Sequence, residues 1–311
     1  MFNKNGKKFK LFDMNRDGPG VSKEEGPLKP NLWNLPKFYF RQFTKVLSLN
    51  FAMLPLILLP AVLFYVYVTA PSMPTETDPS FAPLFGIYTA NPTPGLISLL
   101  GVCGFQLPLQ TYDTVRIAVT VAIGIVFAAL WGWINVGAAF CTRGMFRGDP
   151  VFIWSDFTYA IKRNLWQGLF VGLLDFACIA VLIFDFIYFS SVGGTFVLDF
   201  FFFAIFGVCL VFMFMRYYVY TMLVTFDIKF RKLLKNSLIF SVLGIKRNLM
   251  TLLAIFLVVA VNALIALALW PFGLEGVAII LPAIYLLPTI ALFKTYGAYP
   301  VIEKYMIKKD E

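Results

Sequence analysis

The sequence contains no histidine and only four cysteines, and these shortages narrow the possible chemistry first. Without histidine the chain lacks the usual general base at neutral pH and the commonest zinc ligand. The cysteines form no CxxC pair, which argues against a metal site or a redox pair. No GxGxxG or Walker-type glycine loop is present, so no nucleotide cofactor is expected. We therefore predict no cofactor, no metal and no catalytic centre, and an enzyme is the least favoured class.

Charged residues are also scarce. They make up 14% of the 311 residues, and hydrophobic residues, including 35 phenylalanines, make up 59%. In a soluble domain about a quarter of the residues are usually charged. This composition predicts a chain whose surface is covered mainly by lipid. The net charge of +9 is then better explained by membrane topology than by nucleic-acid binding, and no nucleic-acid partner is expected.

Six apolar runs are long enough to cross a bilayer, which takes about 20 helical residues. They cover residues 46–70, 115–141, 165–190, 195–226, 249–270 and 274–298. The sequence therefore predicts an all-α membrane protein with six transmembrane helices in one domain, residues 32–311. Residues 71–114 would form an extracellular loop, and the polar, basic residues 1–31 would form a cytoplasmic tail.

The positions of the basic residues predict the orientation. Of the 26 lysines and arginines, 24 fall in segments that six spans would place on one side. An excess of lysine and arginine marks the cytoplasmic side of a membrane. Both termini are therefore expected in the cytoplasm.

The pentapeptide IKRNL occurs twice, at Ile161–Leu165 and at Ile245–Leu249, where the chain enters the third and fifth spans. An amphipathic helix is predicted upstream of each copy, and a third one before the first span. Asp149 is expected to cap the first of these helices, with Pro150 at its first position. The pattern suggests three repeats, each made of an amphipathic cytoplasmic helix, an outward span and an inward span.

Eleven residues at these junctions form a predicted contact surface. Either the amphipathic helices lie in the interface and their basic residues contact anionic inner-leaflet lipids, or they dock a protein partner. The residues are Arg143, Asp156, Phe157, Lys162, Arg163, Asn164, Gln167, Lys232, Lys235, Lys246 and Arg247.

Two charged residues lie within the predicted spans. Asp175 and Arg216 are each about ten residues from the cytoplasmic end of a span, which predicts a depth of roughly 15 Å, near mid-membrane. Their helices are joined by a short turn, so the two side chains are expected to pair and to relieve a burial cost of about 2.5–3.5 kcal/mol per charge. The pair could fix the register of the helices or belong to a substrate or proton pathway, and both readings stay open.

Small residues recur at helical spacing in two spans. Gly168 and Gly172 form a G-x-x-x-G pattern in the third span, and Gly124, Ala128 and Gly132 recur in the second. Such faces let helix backbones approach closely.

The segment AAFCTRGMFRGDPVFIWSDFTYAIKRNLWQGLFVGLL, residues 138–174, resembles the YesL-like family of bacterial polytopic membrane proteins, which has no established activity. The resemblance extends from Asp17 to about Lys294. It implies a multi-pass protein of the bacterial cytoplasmic membrane, in a family often encoded near sugar-importing ABC transporters. The expected function is an accessory or regulatory role in carbohydrate uptake, with ABC transporter components as partners. The alternative is a stand-alone transporter or channel that uses the Asp175–Arg216 pair.

Overall fold

The computed structural model describes residues 30–68, 72–73, 109–110, 114–191 and 196–307. Within these ranges the chain is almost wholly helical, which confirms the predicted all-α fold. Two short strands, β1 (Ser72–Met73) and β2 (Leu109–Gln110), pair antiparallel. The predicted tail, apart from its last two residues, and most of the predicted loop lie outside the described residues.

Ten α-helices occur in the described ranges, together with two 3-10 turns, Leu32–Asn34 and Trp270–Phe272, and a π-helical turn, Glu303–Ile307. The α-helices are α1 (Leu35–Arg41), α2 (Phe43–Met53), α3 (Pro55–Val68), α4 (Thr114–Arg147), α5 (Ile153–Arg163), α6 (Leu165–Ser191), α7 (Phe196–Thr225), α8 (Phe230–Leu243), α9 (Ile245–Leu269) and α10 (Glu275–Ile302).

Five helices of the described residues, α4, α6, α7, α9 and α10, are long and apolar enough to cross a membrane. The segment predicted as the first span is divided into α2 and α3, which are bent by 46° and satisfy the same criteria only as a pair. The break falls at Leu54, directly before Pro55, because proline has no N–H to donate and its ring clashes with the preceding turn. The chain is thus a multi-pass α-helical membrane protein, and its described residues provide five spans, or six if the bent pair is one span.

Three central helices, α4, α7 and α10, contact one another, and the other long helices pack around them. Helix α6 lies against α4 and α7, α9 lies against α10, and the bent pair α2–α3 lies against α10 and α4. Each central helix also carries one amphipathic helix. Helix α5 lies on α4, α8 lies on α7, and α1 lies on α10 through contacts such as Phe38 with Tyr296. This cyclic arrangement is the one that three repeats of the predicted unit would produce.

We call the end of the bundle at which α1, α5 and α8 cross the central helices the basic end. Buried side chains are concentrated there, in residues 132–145 of α4, 214–224 of α7 and 289–302 of α10. The opposite half of the bundle exposes large apolar side chains such as Phe184, Phe203 and Ile279. A surface of this kind is solvated by hydrocarbon rather than by water.

Close helix packing occurs where the glycine patterns predicted it. A Cβ atom on Gly132 of α4 would meet the carbonyl oxygen of Gly168 and would lie 2.8 Å from the Cα of Gly172, both in α6. The contact is between backbones, so any side chain at Gly132 would separate the helices. Gly124 does not take part, because a Cβ there would meet nothing within 4 Å.

The start of α5 differs from the prediction. The helix begins at Ile153 rather than at Pro150, and Asp149 forms an ion pair with Arg147 at 3.3 Å instead of capping it. Asp156, in the first turn of α5, accepts a hydrogen bond from the backbone N–H of Phe152 at 2.8 Å. The cap therefore comes from inside the helix, where a carboxylate also suits the positive end of the helix dipole.

The two copies of IKRNL adopt different local structures. In the first copy α5 ends at Arg163, the helix breaks at Asn164 and α6 begins at Leu165. In the second copy the break comes earlier, at Gly244, and all five residues belong to α9. Gly244 is required there because a Cβ would collide with the hydroxyl group of Tyr218 and would lie 2.9 Å from the carbonyl oxygen of Phe240. The break is thus set by packing against α7 and not by the pentapeptide itself.

Candidate functional site

Asp175 of α6 and Arg216 of α7 form an ion pair, as the sequence predicted. The Nε atom of Arg216 lies 2.7 Å from Oδ1 of Asp175. The Asp175 side chain is 6% exposed and that of Arg216 is 19% exposed. Helices α6 and α7 pack against each other, which brings the two residues together across the bundle.

Two further side chains donate to Asp175. The indole N–H of Trp131 in α4 donates to Oδ2 at 2.8 Å, and the hydroxyl group of Tyr220 in α7 donates to the same oxygen at 2.9 Å. The guanidinium carbon of Arg216 also lies 5.6 Å from the centroid of the Trp131 ring, within the range of a cation–π interaction. The carboxylate is therefore held by one ion pair and two hydrogen bonds, all from side chains on two helices other than its own.

Lys294 of α10 is a third charged residue at this site, and sequence reasoning missed it. It is partly buried and lies close enough to interact electrostatically with both Asp175 and Arg216. Lys294 is one of the 24 lysines and arginines that the six predicted spans place on the cytoplasmic side. A usable signal was nevertheless present, because Lys294 falls inside the predicted sixth span. We call Asp175, Arg216, Lys294, Trp131 and Tyr220 the charge cluster; its formal charge is one positive unit.

The charge cluster lies beside an amphipathic helix. Leu234 of the amphipathic helix α8 lines the same small cavity as Asp175 and Arg216. Helix α7 continues past its crossing with α8, where Tyr218 contacts Phe240 at 5.8 Å between ring centroids. The mid-membrane depth of Asp175 and Arg216 stays a prediction.

The space beside the ion pair is small. The cavity has a volume of about 20 Å³, and most of its lining is apolar, including Val171, Phe212 and Val219. A single water molecule needs about 10–15 Å³ in this measure. The structure therefore shows a packed ion pair with room for about one water molecule, and no chamber that would hold a solute at this point.

The predicted contact residues at the basic end fall into exposed and partly or fully buried groups. The side chains of Lys162, Arg163, Gln167, Lys232, Lys235 and Lys246 are exposed, and those of Arg143, Asp156, Asn164 and Arg247 are partly buried.

Phe157 corrects the prediction, because it is buried and cannot belong to an exposed contact surface. Its ring packs on Gly137 of α4, where a Cβ atom would lie 2.6 Å from two ring carbons. Phe157 thus anchors α5 to α4. An aromatic residue on the apolar face of an amphipathic helix gives the same sequence pattern whether lipid or another helix covers it.

Two other predicted contact residues are used within the fold. Arg143 donates from Nη1 to the backbone carbonyl of Val224 at 2.6 Å, and its guanidinium carbon lies 4.7 Å from the centroid of the Phe140 ring. This bond ties α4 to the end of α7. Asn164 donates to the carbonyl of Ala160 at 3.0 Å and so closes the last turn of α5.

Both copies of the pentapeptide line a surface pocket. Lys162 and Arg163 line a pocket of about 320 Å³ together with Trp166, Gln167 and Asp227. Lys246 and Arg247 line a pocket of about 460 Å³ together with Lys304 of the π-helical turn. The lysine and arginine of each pentapeptide thus lie at a concave surface.

The fold and the charge cluster define a class, a multi-pass α-helical membrane protein with a buried ion pair near one end of its bundle. No group of three or more potential metal ligands occurs among the described residues. The chain matches no family model, and neither a curated protein nor a solved structure is significantly similar to it. The resemblance to the YesL-like family therefore stays a prediction.

Proposed function

We propose that this chain is an accessory or regulatory component of a membrane transport system, without a permeation path or a catalytic centre of its own. The observation that carries the proposal is the packing of the charge cluster. The Asp175 carboxylate is paired with Arg216 and accepts hydrogen bonds from Trp131 and Tyr220, and the adjoining cavity measures about 20 Å³. A satisfied, packed ion pair suits a structural role better than the repeated binding and release of a solute.

The basic end faces the cytoplasm in this proposal. The exposed lysines and arginines of α5, of α8 and of the start of α9 all lie at that end, as the positive-inside rule requires of a cytoplasmic face. The described chain both begins and ends there, because α1 packs on the last third of α10. Both termini would then be cytoplasmic.

The transport system is proposed to be a sugar importer of the ABC type, and a bacterial cytoplasmic membrane is the proposed location. Support for both statements comes from the sequence resemblance. The surface offered to a transporter component would be the exposed face of α8, which includes Lys232 and Lys235.

Site-specific photo-cross-linking in native membranes tests this role. A photoreactive residue at position 232 or 235 is expected to give an adduct with a transporter component. The same residue at Phe184 or Phe203, which are exposed in the opposite half of the bundle, serves as the control and is expected to react mainly with lipid. Equal adducts from both halves, or no transporter adduct from α8, would contradict the proposal.

The alternative is a stand-alone transporter or channel, and Lys294 is the observation that favours it. An extra cation beside an ion pair could exchange partners during transport. Flux of protons and sugars into proteoliposomes containing only this chain decides between the two. Flux above that of empty liposomes, and its loss on Asp175→Asn, would establish the alternative; the accessory role predicts no flux in either sample.

A further inference from the structure

The pocket at the second pentapeptide is formed where three elements meet at the basic end. One wall is the α8–α9 junction, residues 243–247, and the other is the end of α10 with Pro300 and Val301. The π-helical turn adds Lys304 and Tyr305. We call this the C-terminal pocket. It is open to the surface and, at about 460 Å³, large enough to receive a lipid head group.

Positive charge dominates the C-terminal pocket. Lys246, Arg247 and Lys304 all line it, and no acidic side chain does. Neither Lys246 nor Arg247 forms an ion pair with another of the described residues. Lys304 forms none among the described residues either. The described residues therefore bring three cations to one concave site that no acidic side chain among them lines, which is the electrostatic complement of an anion.

The surroundings of the pocket favour a lipid anion over a free one. Val242, Leu243, Ile245 and Leu249 are exposed on α8 and α9 beside the cations. A soluble anion would gain nothing from this apolar surface, whereas acyl chains would cover it. Arginine and lysine beside exposed aliphatic residues at a membrane interface fit a phospholipid with its head group in the pocket and its chains along α9.

We propose that the C-terminal pocket binds an anionic phospholipid, with its phosphate group held by Lys246, Arg247 and Lys304. This inference does not depend on the proposed accessory role. It assigns a binding site and a ligand class, whereas the accessory role concerns a protein partner.

The first copy of the pentapeptide provides a matched comparison within the same chain. Its pocket is lined by Lys162 and Arg163, but also by Asp227, whose carboxylate offsets one of the two cations. The two pockets thus share the lysine and the arginine of the pentapeptide and differ in net formal charge, which is plus one in the first pocket and plus three in the C-terminal pocket. Anionic lipid should prefer the C-terminal pocket.

Native mass spectrometry of the full-length protein tests the assignment. The protein is released from mixed micelles that contain equal amounts of phosphatidylglycerol and phosphatidylcholine, and bound lipid is counted. Wild-type protein should retain phosphatidylglycerol preferentially. Lys246→Gln/Arg247→Gln should lower this retention about tenfold, and the single change Lys304→Gln, which leaves the α8–α9 junction intact, should lower it severalfold.

Lys162→Gln/Arg163→Gln is the control, because it removes the same two charges from the same pentapeptide and should keep most of the bound lipid. Equal loss in both double variants would overturn the proposal, since charge alone would then explain the binding. So would unchanged retention in Lys246→Gln/Arg247→Gln. Displacement of the lipid by inorganic phosphate at millimolar concentration would also overturn it and would identify the pocket as a site for free phosphate.

Discussion

Replacing Asp175 by asparagine is the most direct test of the charge cluster. The wild-type carboxylate carries one negative charge, forms an ion pair with Arg216 and accepts hydrogen bonds from Trp131 and Tyr220. An asparagine side chain has one oxygen acceptor and an NH₂ group with two N–H donors. The NH₂ group would replace one carboxylate oxygen, so that a donor would stand where the wild type has an acceptor. The formal charge of the cluster would rise from plus one to plus two, with Arg216 and Lys294 left to repel each other.

The expected cost is about 3–5 kcal/mol in the free energy of unfolding, the usual range when one partner of a buried ion pair is removed. Arg216→Met should cost less, because it leaves Asp175 beside Lys294 and the cluster formally neutral. The predicted order of stability is therefore wild type, then Arg216→Met, then Asp175→Asn. Without Lys294 there would be no reason to expect this asymmetry.

Reversible unfolding by dodecyl sulfate in mixed micelles, followed by far-ultraviolet circular dichroism, measures these differences. Asp199→Asn is the control, since Asp199 is an exposed carboxylate in α7 and its loss should change stability by no more than about 0.5 kcal/mol. The reasoning would be refuted if Asp175→Asn lowered the free energy of unfolding by less than about 1 kcal/mol, as an ordinary surface substitution does. It would also be refuted if Arg216→Met were the more damaging of the two substitutions.

Three other predictions concern helix packing, the pentapeptide and orientation. Gly132→Ala should lower stability by about 1–3 kcal/mol because the added Cβ meets backbone atoms of α6. The Cβ that Gly124→Ala adds meets open space, so this substitution should be neutral or stabilising by up to about 1 kcal/mol. Asn248→Ala should lower stability by about 2–3 kcal/mol, since it leaves the Tyr218 hydroxyl and a buried carbonyl without partners. Asn164→Ala, at the same place in the other pentapeptide, should lower stability by about 1 kcal/mol or less. The same unfolding assay compares both pairs, and equal effects within either pair would contradict the packing. A cysteine in place of Lys162 should react with an impermeant maleimide only after the cells are opened; labelling of intact cells would reverse the proposed orientation.

Much of the fold could be predicted because it depends on local properties of the chain. The all-α membrane class follows from hydropathy and length, and the bend before Pro55 follows from the chemistry of proline. The Asp175–Arg216 pair was predictable because only four residues of sequence separate α6 from α7, which favours contact between the two helices. The close approach of α4 and α6 at Gly132 was predictable in kind, although small residues alone did not exclude Gly124.

The rest required the tertiary structure. Trp131 and Lys294 join the charge cluster from α4 and α10, and which helices face Asp175 depends on the packing of the whole bundle. The position of Leu234 of α8 beside the cluster is also a property of the packing. Phe157 was assigned to an exposed surface because periodicity shows which face of a helix is apolar but not what covers it.

The two copies of IKRNL separate these contributions most clearly. Composition, hydropathy and the placement of lysine and arginine determined that this is a multi-pass membrane protein and that both pentapeptides lie at one end of the bundle, because lipid and water sort residues one segment at a time. The same five residues nevertheless contain a helix end at residue 163 in one copy and a helix start at residue 245 in the other, and their lysine and arginine line pockets of different charge. Only the tertiary structure decided this, because the residues that distinguish the two copies come from other parts of the chain: Tyr218 beside Gly244, and Asp227 in the pocket of Lys162 and Arg163.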